Sequence, residues 1–283
     1  MRALVTADAR EFWRAAGAWL EREPVRHSVP LTVLVRARAG EVDGSFAVAL
    51  DDAGEVTGAA MRTPPHPVHV AGSAAAATVL AEALVEHCPD NDGAGGEAVA
   101  AAAFARAWSA RTGAVAEATM RQRLYELSAV VPPAPVPGRA RLATGDEREL
   151  LVAWVEAFLA DTGAGGTTAG AGPAVDLLLA GRRAHLWDDA GPACLVGVSP
   201  TVAGVARVAP VYTPPARRRR GYASALVGAV SQAVLDAGAD RCALYTDLAN
   251  PTSNHVYAAL GYRPVADATM YAFRTPARGY GLG

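Results

Sequence analysis

Lysine is missing from this chain altogether: all 26 basic side chains are arginine. Against 28 acidic residues they leave a formal net charge of −2, so the composition carries no general nucleic-acid footprint. Cysteine is scarce. Cys88, Cys194 and Cys242 are odd in number, scattered, and include no Cys-x-x-Cys pair, which argues against a zinc site or a disulfide framework. Long apolar runs are missing too. No stretch reaches the roughly 20 residues that span a bilayer, and the alanine-rich segment 73–84 contains Thr78 and Glu82. The opening residues MRALVTADAREFW lack the charged start and apolar run of a signal peptide, so the expected compartment is the cytoplasm. His66 and His69 have no third ligand nearby in sequence, and no metal is expected.

What is present is enough for two ordinary domains: 283 residues, 51% of them hydrophobic, although alanine, which buries little area, supplies much of that share. The clearest boundary is 130–138, VVPPAPVPG, whose prolines favour an extended stiff spacer or covering strand. Before it, apolar spacing through Phe12, Ala16, Trp19 and Leu20 predicts a helix over 11–21. Strands are expected at 32–36 and 45–50, with a turn at Asp51–Gly54 into a third at 56–61. A short strand at 68–70, helices at 73–86 and 97–111, and a strand at 120–127 complete this half, with Gly113 as the αL cap of the second helix. Gly93–Gly96 has no cation beside it and follows Asp90 and Asp92, so it reads as a loop and not as an anion site.

After the boundary, Thr144-Gly-Asp-Glu147 fits a capping box and starts a helix that runs to about Asp161. The glycine-rich stretch 162–173 reads as a mobile loop. A helix at 174–179, a hairpin at 185–187 and 193–198, a strand at 204–212, a helix at 222–237, a strand at 241–246, a helix at 252–260 and a strand at 268–273 follow. The reading is a mixed α/β fold in two tandem domains: a degenerate copy over 1–130, a Pro-rich linker over 131–138, a second copy over 139–275 and a tail over 276–283.

Two stretches carry chemistry. In the first, Val211-Tyr-Thr-Pro-Pro ends a strand, Arg217–Arg220 follows, and Gly221-Tyr-Ala-Ser224 opens a helix. Backbone N–H groups in such a turn are free to point at an anion, and the helix start adds partial positive charge. Gly221 permits close approach, Ala223 keeps the first turn slim, and the arginines add charge-assisted bonds. The bland alternative is a solvated basic loop or a polyanion patch. The second stretch is Asn250-Pro-Thr-Ser-Asn254-His-Val-Tyr257-Ala-Ala-Leu-Gly-Tyr262. Its bland readings are a turn and cap pair at Asn250-Pro251 and a core tyrosine at 257.

The spacing Arg218-x-x-Gly221-x-Ala223, with the second stretch following in order, resembles the GNAT superfamily of N-acetyltransferases. The same spacing in 278–283 has no helix after it and carries no weight. The resemblance covers about 139–275. It implies acetyl-CoA as co-substrate, with no metal, and transfer of an acetyl group to a primary amine of a small molecule or a protein. It places Ala209, Pro210, Val211, Arg218, Arg219, Arg220, Gly221, Tyr222, Ala223, Ser224, Asn250 and Asn254 against the cofactor, and the Tyr257 hydroxyl near the thioester sulfur. A phenol with a pKa of about 10 stays protonated at neutral pH and can donate to a leaving thiolate. This sequence departs from the family in one respect: Thr201–Tyr212 contains no carboxylate to serve as base. Glu156, Asp161, Asp176, Asp188, Asp189, Asp247 and His255 remain candidates. The missing base makes a non-catalytic acyl-CoA sensor the alternative. Nucleic acid and membrane are not expected as partners.

Overall fold

The computed structural model describes residues 1–162 and 170–274. The first half of the chain runs β1 (Arg2–Thr6), α1 (Ala9–Leu20), α2 (Ser28–Arg38), β2 (Ser45–Leu50), β3 (Val56–Arg62), β4 (Val68–Gly72), α3 (Ala74–Leu84), β5 (Gly93–Glu97), α4 (Ala98–Thr112) and β6 (Val115–Leu127). The second half repeats that order: β7 (Arg139–Leu142), α5 (Arg148–Thr162), α6 (Ala171–Ala180), β8 (Ala184–Asp188), β9 (Pro192–Val198), β10 (Val205–Tyr212), α7 (Tyr222–Asp236), β11 (Arg241–Asp247), α8 (Pro251–Ala259) and β12 (Arg263–Arg274). Each half is a mixed α/β unit with the same succession of elements.

The chain forms two compact units that do not follow the 1–130 and 139–275 division. One comprises Met1–Glu23, Val29–Gln122 and the segment from Asp267 on; the other comprises Pro24–Ser28 and Arg123–Ala266. The reason lies in strand pairing. In the first unit, β5 pairs antiparallel with the late part of β12, Ala268 opposite Glu97 and Ala272 opposite Gly93. In the second unit, the segment 123–127 of β6 is the strand beside β11. The expected tail 276–283 lies outside the described residues, as does most of the expected loop at 162–173. The rest of that stretch is helical, since α6 already starts at Ala171.

The first unit orders its strands β1-β2-β3-β4-β5, with β4 and β5 parallel. Alternation along the strands sends Ala47, Ala60, Val68 and Val70 to one face, against Leu80 of α3 and Phe104 of α4. Phe46 meets Phe12 of α1, ring centroids 5.3 Å apart. The strand expected at 32–36 is in fact part of α2: Leu31 and Leu34, one turn apart, are both buried, and burial of that stripe overrides the β-branched character of Thr32, Val33 and Val35. The loop expected at Gly93–Gly96 is β5. Its glycines reflect crowding, since a Cβ on Gly93 would lie 2.3 Å from the Tyr271 carbonyl oxygen and one on Gly96 2.0 Å from that of Val70.

The second unit orders its strands β7-β8-β9-β10-β11. Trp187, Cys194, Val196, Ala206, Val208, Cys242 and Leu244 face α7, which buries Tyr222, Leu226 and Val230 at helical spacing. Leu186 and Leu195 face α5 and α6 through Leu151, Val155 and Val175. Further along the sheet, Val205 and Ala243 pack on Val25 and Leu124. The Pro-rich segment belongs to this unit and covers it: Val131 N–H bonds the Leu260 carbonyl at 2.9 Å, and the Trp187 indole N–H bonds the Pro137 carbonyl at 2.8 Å.

Candidate active site

The site is built where β10 leaves its neighbours. Against β9 its register shifts between Val208 and Val211, so Ala209 and Pro210 form a bulge. Against β11 it pairs at Val205–Arg241, Ala206–Cys242 and Arg207–Ala243. Past that point the strands part, while β10 goes on to Tyr212 and β11 to Asp247. Ala209, Pro210 and Val211 therefore line the stretch of β10 that has lost its β11 partner.

After Tyr212 the chain makes a single 3-10 turn at Pro215–Arg217, then passes through two left-handed residues, Arg219 (φ 61°) and Gly221 (φ 80°), before α7 begins at Tyr222. Gly221 is the N-cap and offers no side-chain acceptor. Three other helix starts are closed by a side chain: Asp8 accepts from Arg10 N–H on α1, Ser73 from Ala76 N–H on α3, and Asn250 from Ser253 N–H on α8, whereas α4 and α6, like α7, carry no side-chain cap. The first turn of α7, with Tyr222, Ala223 and Ser224, thus keeps unclaimed donors at the positive end of the helix dipole. Arg219 and Arg220 are exposed and have no carboxylate partner among the described residues. Arg218 does have one: its guanidinium meets Asp161 at 2.6 Å, bonds the Thr213 carbonyl at 2.9 Å, and lies 5.8 Å over the Tyr212 ring.

Two contacts hold the turn in shape, and sequence reasoning missed both. The buried Tyr222 hydroxyl donates to the Asp189 carboxylate, and Arg217 reaches the Asp189 carbonyl at 3.5 Å. Asp189, in the β8–β9 turn, is therefore an anchor of the cradle. The second contact is Val136: a Cβ on Gly221 would come within 2.8 Å of its Cγ1. No local pattern signals either contact, because each joins residues more than thirty or eighty positions apart.

On α8, Asn250 is the exposed N-cap. Asn254 is a clamp: its amide donates to the Asp247 carbonyl at 2.9 Å and the Asn250 carbonyl at 2.8 Å, and its oxygen accepts from the Tyr125 hydroxyl at 3.0 Å. Tyr257 is 8% exposed and packs edge-on against Tyr262, centroids 5.9 Å apart. Burial, and then the neighbouring Cys194 thiol, push its phenol well above the ordinary value. Cys194 itself is pushed up to about 11 by burial and accepts from the Thr213 hydroxyl at 3.2 Å.

Most candidate bases are engaged elsewhere. Asp161 holds Arg218, Asp176 meets Arg148 at 2.6 Å, and Asp189 accepts from Tyr222. Asp188 meets Arg141 at 2.6 Å, and that bond, with a further one from Gly191 N–H, holds its carboxyl below the usual range. Asp247 accepts from Ala249 N–H at 2.8 Å. Glu156 and His255 are exposed.

The first half of the chain lacks both features at the matching places. Between β4 and α3 stands a single residue, Ser73, whose hydroxyl already caps the helix. Seven residues after its N-cap, where α8 has Tyr257, α4 has the fully buried Phe104.

Residues 204–272, which include the cradle and α8, match the FR47-like protein family model. Comparison with curated proteins finds no significant match. Among solved structures, a GCN5-related N-acetyltransferase from Sphaerobacter thermophilus aligns with TM-score 0.62 at 13% identity, covering 96% of this chain and 95% of that one. A GNAT-family acetyltransferase from Colwellia psychrerythraea gives 0.59 at 9%, covering 97% and 100%. A tandem GNAT protein from the clavulanic acid biosynthesis pathway gives 0.54 at 14%, covering 96% and 98%. The chain has the GNAT fold, in tandem arrangement.

Proposed function

We propose that this chain, whose fold is that of the GCN5-related N-acetyltransferases, moves an acetyl group from acetyl-CoA to a primary amine of a small molecule or protein. The observation that carries the reading is the start of α7: an uncapped helix behind a left-handed Gly221, flanked by two exposed arginines without carboxylate partners among the described residues. A diphosphate is the ligand that such a concave, cationic, backbone-lined turn suits. Bound acetyl-CoA supplies the activated acetyl thioester. Arg219, Arg220 and the N–H groups of 221–224 neutralise its phosphates. Arg218 is held by Asp161 and serves as a strut for the loop. The parted stretch of β10 at Ala209–Val211 takes the extended arm, and the free amide N–H₂ of Asn250 lies at the head of α8 on the same side of the fold. Asn254 acts by fixing α8 to β11.

Tyr257 Oη keeps its proton through the neutral range because burial penalises the phenolate, so it acts as a hydrogen-bond donor to the departing sulfur, which takes up its own proton from solvent. The amine's own proton leaves to solvent or to one of the two exposed candidates, Glu156 or His255. The first half of the chain, with Ser73 in place of the cradle and Phe104 in place of the tyrosine, shapes the protein without binding a second cofactor. Such a protein is cytoplasmic and needs no metal.

The second reading, an acyl-CoA sensor without turnover, is favoured by the engagement of five of the seven candidate bases in ion pairs and hydrogen bonds. Free-thiol release across a panel of primary amines separates the two. Turnover that Tyr257→Phe slows at least about tenfold, with CoA affinity unchanged, supports the transferase. CoA binding with no thiol release for any amine supports the sensor.

A further inference from the structure

The first unit carries a separate concentration of positive charge. Arg10, Trp13 and Arg14 of α1 and Val35, Arg38 and Ala39 of α2 line an open cavity of about 660 Å³. That volume is within the range of small-molecule sites, about 300–1,000 Å³. The Arg38 guanidinium carbon stands 4.6 Å over the Trp13 ring centroid, a cation–π stack that holds the guanidinium plane in place. Trp13 is itself fixed by Gly17, one turn on: a Cβ there would lie 2.8 Å from the indole, so the ring rests against bare helix backbone. Arg10 and Arg14 are spaced i, i+4 and repel one another on the same helix face.

The nearby acids do not relieve this charge. Asp8 accepts from the Arg10 backbone N–H at 2.8 Å, Glu11 accepts from the Thr6 hydroxyl at 2.5 Å, and Glu41 pairs with Arg36 at 3.2 Å. Among the described residues, none of Arg10, Arg14 and Arg38 has a carboxylate partner. The duplicated fold supplies an internal control. In the second unit the equivalent helices, α5 and α6, are joined by Arg148 and Asp176, two bonds of 2.6 and 2.9 Å. There the arginine has its carboxylate; in the first unit three arginines surround an open cavity and the carboxylate is missing.

We propose that the α1–α2 cavity binds a small multivalent anion, an organic phosphate or a polycarboxylate, whose charged groups take the place that Asp176 fills between α5 and α6. Planar guanidinium forks suit both oxyanions in paired bonds. The site is separate from the acetyl-CoA cradle, so its existence does not depend on that assignment.

The test is calorimetric titration of the full protein with inorganic pyrophosphate and, separately, with citrate, each in the absence and presence of excess CoA. With excess CoA filling the cradle, the expected result is one site per chain that weakens as salt is raised and that Arg14→Gln and Arg38→Gln each weaken about tenfold or more; without CoA, pyrophosphate can also occupy the cradle. Tighter binding of pyrophosphate assigns a phosphorylated ligand, and tighter binding of citrate a polycarboxylate. Both variants change exposed or half-exposed side chains, and an unaltered circular dichroism melt verifies that they fold. Absence of binding by either probe overturns the proposal. So does binding that excess CoA abolishes entirely, or that both variants leave unchanged.

Discussion

Replacing Gly221 by alanine separates two demands that the cradle places on one residue. Gly221 has φ 80° and ψ 0°, a left-handed conformation that costs an L-residue about 1–2 kcal/mol. The added Cβ would also stand 2.8 Å from Val136 Cγ1, and such crowding typically costs about 1–3 kcal/mol. Gly221→Ala should therefore destabilise the start of α7 by roughly 2–5 kcal/mol in all. In a Val136→Ala background the crowding is relieved while the backbone penalty stays, so the same change should cost only about 1–2 kcal/mol. The difference is a coupling energy, read from the four proteins of a double-mutant cycle. Hydrogen exchange of the α7 amides is the suitable assay, because a two-unit chain need not unfold in one step. Equal cost in both backgrounds would refute the packing of the Pro-rich segment on Gly221, and no cost in either would refute the left-handed cap.

Three further outcomes follow from the burial of single groups. Cys88, Cys194 and Cys242 are all buried, and burial pushes Cys194 and Cys242 up to about 11, so none should react with a thiol reagent at mildly alkaline pH until denaturant is added; rapid labelling of the native protein would contradict this. His185 on β8 has its pKa lowered by burial. Its unfolded form therefore takes up a proton first as pH falls below about 6.5, and stability should drop from that point until the folded-state value is passed. His185→Gln should flatten the profile between pH 7 and 5, and an unchanged slope would assign it to other groups. Asn254→Ala strips partners from the Tyr125 hydroxyl and two carbonyls and should cost about 1–3 kcal/mol in chemical denaturation, with a loss near zero arguing that the clamp is loose.

Much of the second unit was legible because its signals are local. The capping box at Thr144 and Glu147 is present as read, and the helical spacing of Tyr222, Leu226 and Val230 gave α7; in the first unit, Gly113 is the left-handed cap that was expected. What sequence could not reveal was non-local. Gly93–Gly96 has the composition of a loop but is a strand, because neighbouring backbones approach too closely for any side chain. Residues 32–36 have strand composition but lie in a helix, because Leu31 and Leu34 are buried together. The short edge strands β1 and β7 carry little apolar alternation to detect. The late part of β12 belongs to the unit begun by the N-terminus, a pairing with β5 across more than 160 positions that no window of sequence contains. Within the site, the cradle motif was readable, whereas the Asp189 anchor and the clamp role of Asn254 depend on partners brought in by the fold.

One acetyl-CoA site per chain at the start of α7 is checked by calorimetric titration of acetyl-CoA into the wild-type protein and into Gly221→Glu. Binding at one site per chain is expected, abolished in the variant, whose carboxylate would occupy the cradle and repel the phosphates. Two sites would mean that the first half of the chain also binds, despite Ser73 closing its helix. No binding, or binding that Gly221→Glu leaves intact, would rule out the cradle and return Arg217–Arg220 to an ordinary basic loop.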